Sequence, residues 1–209
     1  MKRIQILILI IFTIACSAEQ QPDVVIPQNA FDINPLLIGE TIPNITVADI
    51  NGEDELLLSR ISGTYSILVF YRGGWCPFCT SHLSDLAQYE EEIYDLGYRL
   101  IGISPDRPEF LRESLDDMEL NYTLLSDSSM ELTRAFGLAY REDDEVVSEL
   151  KEHGMDIVES SGYEHKQLPV PAVYIVDREG KVLFQYVNPD YRERINGDIL
   201  MAALRSLAE

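Results

Sequence analysis

Ser66-Ile67-Leu68-Val69-Phe70-Tyr71-Arg72-Gly73-Gly74-Trp75-Cys76-Pro77-Phe78-Cys79 changes character twice along its length. Residues 66–71 form a short apolar run with β-branched and aromatic members, which predicts a buried strand. Residues 76–96 hold no glycine and place Leu83, Leu86, Ala87 and Tyr94 near helical spacing. They predict one helix, with Glu90, Glu91 and Glu92 facing water and Gly97 as the C-terminal cap. The connector Arg72-Gly73-Gly74-Trp75 therefore delivers two cysteines to a strand-to-helix junction.

That placement carries chemistry. Ligands and reactive groups collect at the C-terminal ends of strands in α/β sheets. A helix start offers unpaired backbone N–H groups and the positive end of the macrodipole, both favourable to an anion. A thiolate is such an anion, so a cysteine here is expected to have a lowered pKa. The i, i+3 spacing on the first turn brings the second sulfur within reach of a disulfide, and Pro77 suits the first turn because its missing N–H is not needed there. Other readings are weaker. A lone CxxC lacks two ligands for structural zinc, and His82 could add only one. Inert buried thiols are the other alternative. His82 alone reads as a helix-surface residue rather than a base. His153 and His165 carry no signal. Trp75 is either a hydrophobic wall for the sulfur or plain packing.

Outward from this junction, strands and helices alternate. Residues 45–50 predict a strand, Asn51-Gly52 a turn, and 56–58 a returning strand. Further strands are expected over 99–104, 122–125, 172–176 and 182–187, the last two as an antiparallel hairpin across Arg178-Glu179-Gly180. Helices are expected from Pro108 to about 119, from an Asp127 N-cap to Phe136, over about 143–153, and over 195–207. The last of these should bury Ile199, Leu200, Ala203, Leu204 and Leu207. The polar insert 141–168 reads as one helix followed by a loop. This is an α/β three-layer sandwich with a mixed central sheet, helices on both faces and an N-terminal hairpin extension.

The chain has 209 residues, and its first 15 do not read as fold. Lys2 and Arg3 precede an apolar run over 4–15, too short to span a bilayer, which needs about 20 apolar residues. A basic start, a short apolar stretch and a small residue make an export signal. Thr13-Ile14-Ala15-Cys16 resembles the lipobox of bacterial lipoproteins, in which the cysteine is lipidated and becomes the mature N-terminus. Cys16 is then the lipid acceptor, residues 16–34 a tether, and 35–209 a single domain. Lys and Arg number 16 against 36 Asp and Glu, a net charge of −20. Two of the basic residues lie in the leader, so the exported part is more acidic still. Such a balance argues against nucleic acid as a partner. A hydrophobic content of 46% excludes a disordered chain.

Val170-Pro171 opens the strand over 172–176. A buried proline at a strand start marks a special backbone turn, and cis geometry is accessible only before proline. A cis Val170–Pro171 bond facing the CxxC is expected, with Val170 backbone groups free to pair with an extended partner chain.

Taken together, the stretch from Phe70 to Cys79 and Val170-Pro171-Ala172-Val173-Tyr174-Ile175-Val176-Asp177-Arg178-Glu179-Gly180-Lys181 resembles the thioredoxin-like superfamily. More narrowly it resembles the peroxiredoxin-like branch of the alkyl hydroperoxide reductase/thiol-specific antioxidant (AhpC/TSA) family. The resemblance extends from about Pro35 to the end and takes in Ile103-Ser104-Pro105-Asp106 and Leu124-Leu125-Ser126-Asp127. It implies a thioredoxin-like fold and thiol redox chemistry without cofactor or metal. In peroxiredoxins of this family the peroxidatic position falls on Cys79, but Arg72 then stands where they have proline and Cys76 where they have Thr or Ser. Residues 142–177 hold no arginine, although such peroxidases use one near that strand.

The expected activity is therefore thiol–disulfide exchange, in which Cys76, exposed at the helix start, attacks and Cys79 resolves. Trp75, Arg72, Val170 and Pro171 would contact the substrate. One alternative is a peroxidase with Cys79 peroxidatic and Cys76 resolving, and another is a lipid-anchored, non-catalytic binding module. Expected partners are protein disulfides or small peroxides, with a membrane thiol carrier as electron source. The expected location is the extracytoplasmic side of the cell envelope. Asp190-Tyr191-Arg192-Glu193-Arg194 reads either as a rim recognising substrate or, the favoured reading, as solvated charges.

Overall fold

The computed structural model describes residues 25–118 and 120–208. The export signal expected over 1–15 and the acceptor Cys16 lie outside them. The Pro27 carbonyl accepts the Arg141 N–H at 2.9 Å, so the chain is already against the domain at that point of the expected tether.

A mixed sheet of seven strands forms the middle layer, in the order β2-β1-β5-β4-β3-β8-β9. Its strands are β1 (Thr46–Ala48), β2 (Asp54–Leu56), β3 (Tyr65–Phe70), β4 (Tyr98–Ser104), β5 (Thr123–Ser126), β8 (Ala172–Val176) and β9 (Val182–Val187). Strands β3, β4 and β5 run parallel, while β8 pairs antiparallel with β3 and β9 with β8. Period-two alternation assigns the faces. Ile67, Val69, Val173 and Ile175 turn to one side, against α2 (Pro77–Ala87), α4 (Pro108–Met118) and α8 (Gly197–Leu207). Leu68, Phe70, Tyr174 and Val176 turn to the other, against α1 (Leu57–Ile61) and α5 (Glu131–Ala135). Because both faces are covered, these strands read as continuous apolar runs rather than alternating ones.

Four expectations about elements are corrected. The helix expected over 76–96 is two, α2 and α3 (Glu90–Asp95), broken at Gln88 and Tyr89. The Tyr89 hydroxyl is held by Asp198 Oδ1 at 3.2 Å. The break also puts Glu90, Glu91 and Glu92 in the first turn of a new helix, where its macrodipole favours negative charge. The strand expected over 56–58 gives way at once to α1, which buries Leu57 and Ile61. Asp127 does cap α5, but from further back: its carboxylate accepts the Leu132 and Thr133 N–H groups and the Thr133 hydroxyl. Ile199 of α8 is 60% exposed, and Met201 takes its place in the core beside Leu200 and Leu204.

The insert departs furthest from expectation. It opens and closes as a two-stranded ribbon, β6 (Ala139–Arg141) against β7 (Gln167–Pro169), with Ala139 opposite Pro169. Between them lie α6 (Asp144–Glu152) and α7 (Ile157–Ser161). Asp156 caps α7 by accepting the Val158 and Glu159 N–H groups. Tyr140, Ile157, Leu168 and Val170 form a small apolar cluster of their own, against which Trp75 packs.

A candidate dithiol active site

Chain direction assembles the site. Strands β3 and β4 are parallel, so their C-terminal ends lie together, with Phe70 beside Ile103. Residues 71–76 leave one end and 104–106 leave the other. Cys76 is the N-cap of α2, and Pro77 is its first residue. The connector is tight. A Cβ on Gly73, whose φ is +147°, would stand 2.2 Å from Trp75 Nε1, and one on Gly74 would stand 2.1 Å from Ser114 Oγ. Glycine at both positions is what lets β3 reach the helix start by this path.

Both cysteines are free, and both are buried: Cys76 is 2% exposed and Cys79 0%. The expectation of an exposed Cys76 is thereby corrected. The sulfurs are roofed by the segment that follows β9. Tyr191 lays its ring 4.3 Å from the Arg72 guanidinium and meets the Phe78 ring edge-on at 5.7 Å. The Arg194 Nη2 group donates to Cys79 Sγ at 3.3 Å, while its Nη1 donates to the carbonyls of Tyr191 and Glu193.

Arg72 is buried as well, its guanidinium 5.2 Å from the Trp75 ring and 4.3 Å from the Tyr191 ring. Its Nη2 lies 3.4 Å from Glu142 Oε1, an oxygen that also accepts the Tyr140 hydroxyl at 2.7 Å. A buried guanidinium without a counter-charge is strongly unfavourable. The insert supplies that counter-charge just past β6.

These surroundings separate the two thiols. The Cys79 thiol donates to the Cys76 sulfur, and the charges of Arg72 and Arg194 add to this, so that Cys76 falls to about 6 despite its burial. Burial and the neighbouring Cys76 push Cys79 well above the usual thiol range. At neutral pH one sulfur is a nucleophilic thiolate and the other holds a proton. Inert buried thiols lack such a division.

Of the residues expected to form the site, Arg72, Trp75, Cys76 and Cys79 come together. Val170 and Pro171 do not act as expected. The Val170–Pro171 bond is trans. The Val170 N–H already donates to the Leu138 carbonyl at 2.9 Å, and the Pro171 carbonyl accepts the Asn188 N–H. The ribbon is the reason: β7 returns the chain alongside β6, so the backbone before Pro171 is paired within the molecule. His82, expected on the helix surface, is buried, and burial lowers it to about 4 with Arg194 adding to the effect. It is a neutral imidazole at physiological pH. Among the described residues no group of three or more His, Cys, Asp or Glu is arranged to hold a metal ion.

Residues 38–185 match the AhpC/TSA family. The chain belongs to that family. An AhpC/TSA chain with this dithiol is an oxidoreductase working through thiols. It is 34% identical over 107 residues to the putative peroxiredoxin bcp of Haemophilus influenzae, covering 51% of this chain and 68% of that protein. It is 28% identical over 179 residues to a 1-Cys peroxiredoxin of Medicago truncatula, covering 82% of this chain and 73% of the other. Among solved structures, the peroxidoxin BcpB of Mycobacterium tuberculosis superposes with a TM-score of 0.62 at 21% identity, over 81% of this chain and 97% of that one. A mutant of peroxiredoxin 6 from Arenicola marina gives 0.67 at 18%, over 82% and 73%. At those identities the structures speak for the fold. Glu142 and Asp106 stand at the site without having been given a role from the sequence. Tyr191 and Arg194 belong to the stretch 190–194, whose favoured reading as solvated charges is corrected by their contacts with Arg72 and Cys79.

Proposed function

We propose that this chain is a thiol peroxidase in which Cys76 attacks a hydroperoxide and Cys79 resolves the product. The observation that carries this reading is a pair of free, buried cysteines with the Arg194 guanidinium on Cys79 Sγ at 3.3 Å and almost no exposed sulfur; the Cys79 thiol and the charges of Arg72 and Arg194 favour the thiolate at Cys76. A small oxidant suits such a site better than a disulfide embedded in another protein. Relatives named as peroxiredoxins support the same substrate. The role of Cys76 departs from the peroxidatic position suggested by family register, and the lowered Cys76 thiol supports the change.

The steps balance. The Cys76 thiolate attacks one peroxide oxygen; an S–O bond forms, the O–O bond breaks, and an alkoxide or hydroxide leaves to take up a proton. Cys79 then loses its proton and attacks the Cys76 sulfenic acid, forming S–S and releasing water. An external dithiol returns two electrons. In this reading the enzyme is exported and anchored through Cys16, and a membrane thiol carrier is its reductant. Lys2, Arg3, the apolar run to Ala15 and the lipobox-like Thr13-Ile14-Ala15-Cys16 support that location. Mass spectrometry of the native N-terminus tests it, since an unmodified residue other than Cys16 there removes the anchor.

Peroxide consumption and sulfenic acid trapping test the chemistry. Cys76→Ser should abolish both, whereas Cys79→Ser should accumulate a trappable sulfenic acid on Cys76. Sulfenic acid found on Cys79 in Cys76→Ser would reverse the roles. Reduction of a protein disulfide without any peroxide consumption would restore thiol–disulfide exchange as the activity.

A further inference from the structure

His165 stands just before β7, half-buried against the connection from β5 to α5. Its two ring nitrogens meet opposite kinds of partner. Nδ1 lies 2.9 Å from the Gln167 backbone nitrogen, and Nε2 lies 3.0 Å from the Ser128 carbonyl oxygen. A backbone N–H only donates and a carbonyl only accepts. The partners therefore fix a neutral ring, with its proton on Nε2 and a lone pair on Nδ1. Lys166, between the two bonded residues, has a φ of +53°, a left-handed conformation uncommon for a residue with a side chain. The turn through Lys166 brings the Gln167 N–H back onto the ring. Tyr163 stacks on the imidazole with ring centroids 5.9 Å apart.

The charge that acts on the ring is that of Arg134 on α5, whose Nη1 donates to Gln167 Oε1 at 3.2 Å and whose Nη2 donates to the Ser129 carbonyl at 2.8 Å. Asp127 and Glu131 border the cleft that Ser128 and Tyr163 line, and the Asp127 carboxylate is already taken up in capping α5. Glu164 and Lys166 flank His165 in the chain, and the Lys166 ammonium is held by Asp144 at 2.9 Å. These contacts fasten the closing end of the insert. Directly across the ribbon, the Glu142 N–H donates to the Lys166 carbonyl at 2.9 Å, and Glu142 is the counter-charge of Arg72.

We propose that His165 is an acid-released latch on the insert: a proton on Nδ1 expels the Gln167 N–H and loosens the β6–β7 ribbon, which holds Glu142 against Arg72 and the insert's apolar cluster against Trp75. Protonation turns the one acceptor of the ring into a donor, so two N–H groups face each other and the Gln167 amide loses its partner. The new charge also stands beside that of Arg134. Burial, with Arg134 adding to it, holds His165 below its ordinary value, so the latch stays shut at neutral pH and opens in acid. The inference is independent of which oxidant the dithiol takes.

The test is an NMR titration of the wild-type protein from neutral into acid pH. The imidazole nitrogen shifts should show the Nε2–H tautomer and a midpoint below 6.5. Across that midpoint, exchange of the Gln167 and Glu142 amides, corrected for its intrinsic pH dependence, should rise by roughly three- to tenfold, the effect of losing one hydrogen bond. The rise should be absent in His165→Gln, which takes no proton. Trp75 is the only tryptophan and packs on the insert's cluster. In Cys76→Ser, where no Cys76 thiolate titrates beside it, its emission should shift with the His165 midpoint, and adding His165→Gln should remove the shift. A ring carrying its proton on Nδ1 at neutral pH, or amide exchange that does not follow the His165 midpoint, overturns the latch. Constant Trp75 emission overturns its reach to the site. Should His165→Gln fail to fold, the wild-type titration decides alone, because ring and amides are read in one sample.

Discussion

Residues 71–79 and 188–196 converge on the same two sulfurs, but they are built differently. The first segment places the sulfurs by local means: a strand end, two glycines, an N-cap and a proline in the first turn. The second approaches from the far edge strand and acts through side chains alone, with Tyr191 on Arg72 and Phe78, and Arg194 on Cys79. The difference separates two jobs. The local segment makes a pair of reactive thiols and most of their division of charge, through the Cys79 thiol and Arg72; the distant one adds the Arg194 charge and covers the pair.

The comparison can be broken most severely at Cys76. If the local segment makes the nucleophile, Cys76→Ser lowers peroxide turnover by roughly 10³-fold or more in a steady-state assay, as loss of a covalent nucleophile does. Next comes the effect of the surroundings on charge, read as stability. The Cys76 thiol is depressed from 9.0 to about 6 in the folded chain. Its contribution is therefore complete only above the unfolded value and is lost as pH falls through the folded one. Between those limits the reduced protein should gain stability relative to Cys76→Ser as pH rises, read in denaturant titrations. A flat difference between the two would mean that the surroundings do not set the charge. Smaller again is Arg72→Ala. It should raise the Cys76 midpoint by about one pH unit in an alkylation titration, because a nearby positive charge is lost. It should also destabilise the fold by about 1–2 kcal/mol, because half-buried Glu142 loses its charged partner and keeps only the Tyr140 hydroxyl. Smallest is Tyr191→Ala, which thins the roof. Alkylation of Cys76 by a bulky reagent should rise by roughly two- to threefold, with the thiol midpoint little changed, in line with the modest free energies of exposed aromatic contacts.

The same contrast explains what was legible in the sequence. Strands β3, β4, β8 and β9, the start of α2 and the antiparallel hairpin could be read because their causes are local: apolar runs, turn residues and caps. The CxxC at a strand-to-helix junction was legible for the same reason. The break at Tyr89 was not, because the hydroxyl contact that holds it lies on α8, 109 residues later. The ribbon β6–β7 was hidden because its two short strands are separated by two helices and pair only through the fold. Arg194 was taken for a solvated charge because the sulfur it touches is 115 residues away. Val170-Pro171 misled in the opposite sense. The residue pair permits a cis bond, but the Leu138 carbonyl already claims the Val170 N–H in a trans geometry.

That claimed N–H has a consequence for selectivity. With the Val170 amide donating inward and Pro171 having none, these two residues offer a visiting polypeptide no backbone N–H. A partner chain cannot be read there through donated hydrogen bonds. In the peroxidase reading, what reaches the sulfurs is then sorted by bulk and by how readily its weakest bond accepts electrons from sulfur, so one site can serve many oxidants.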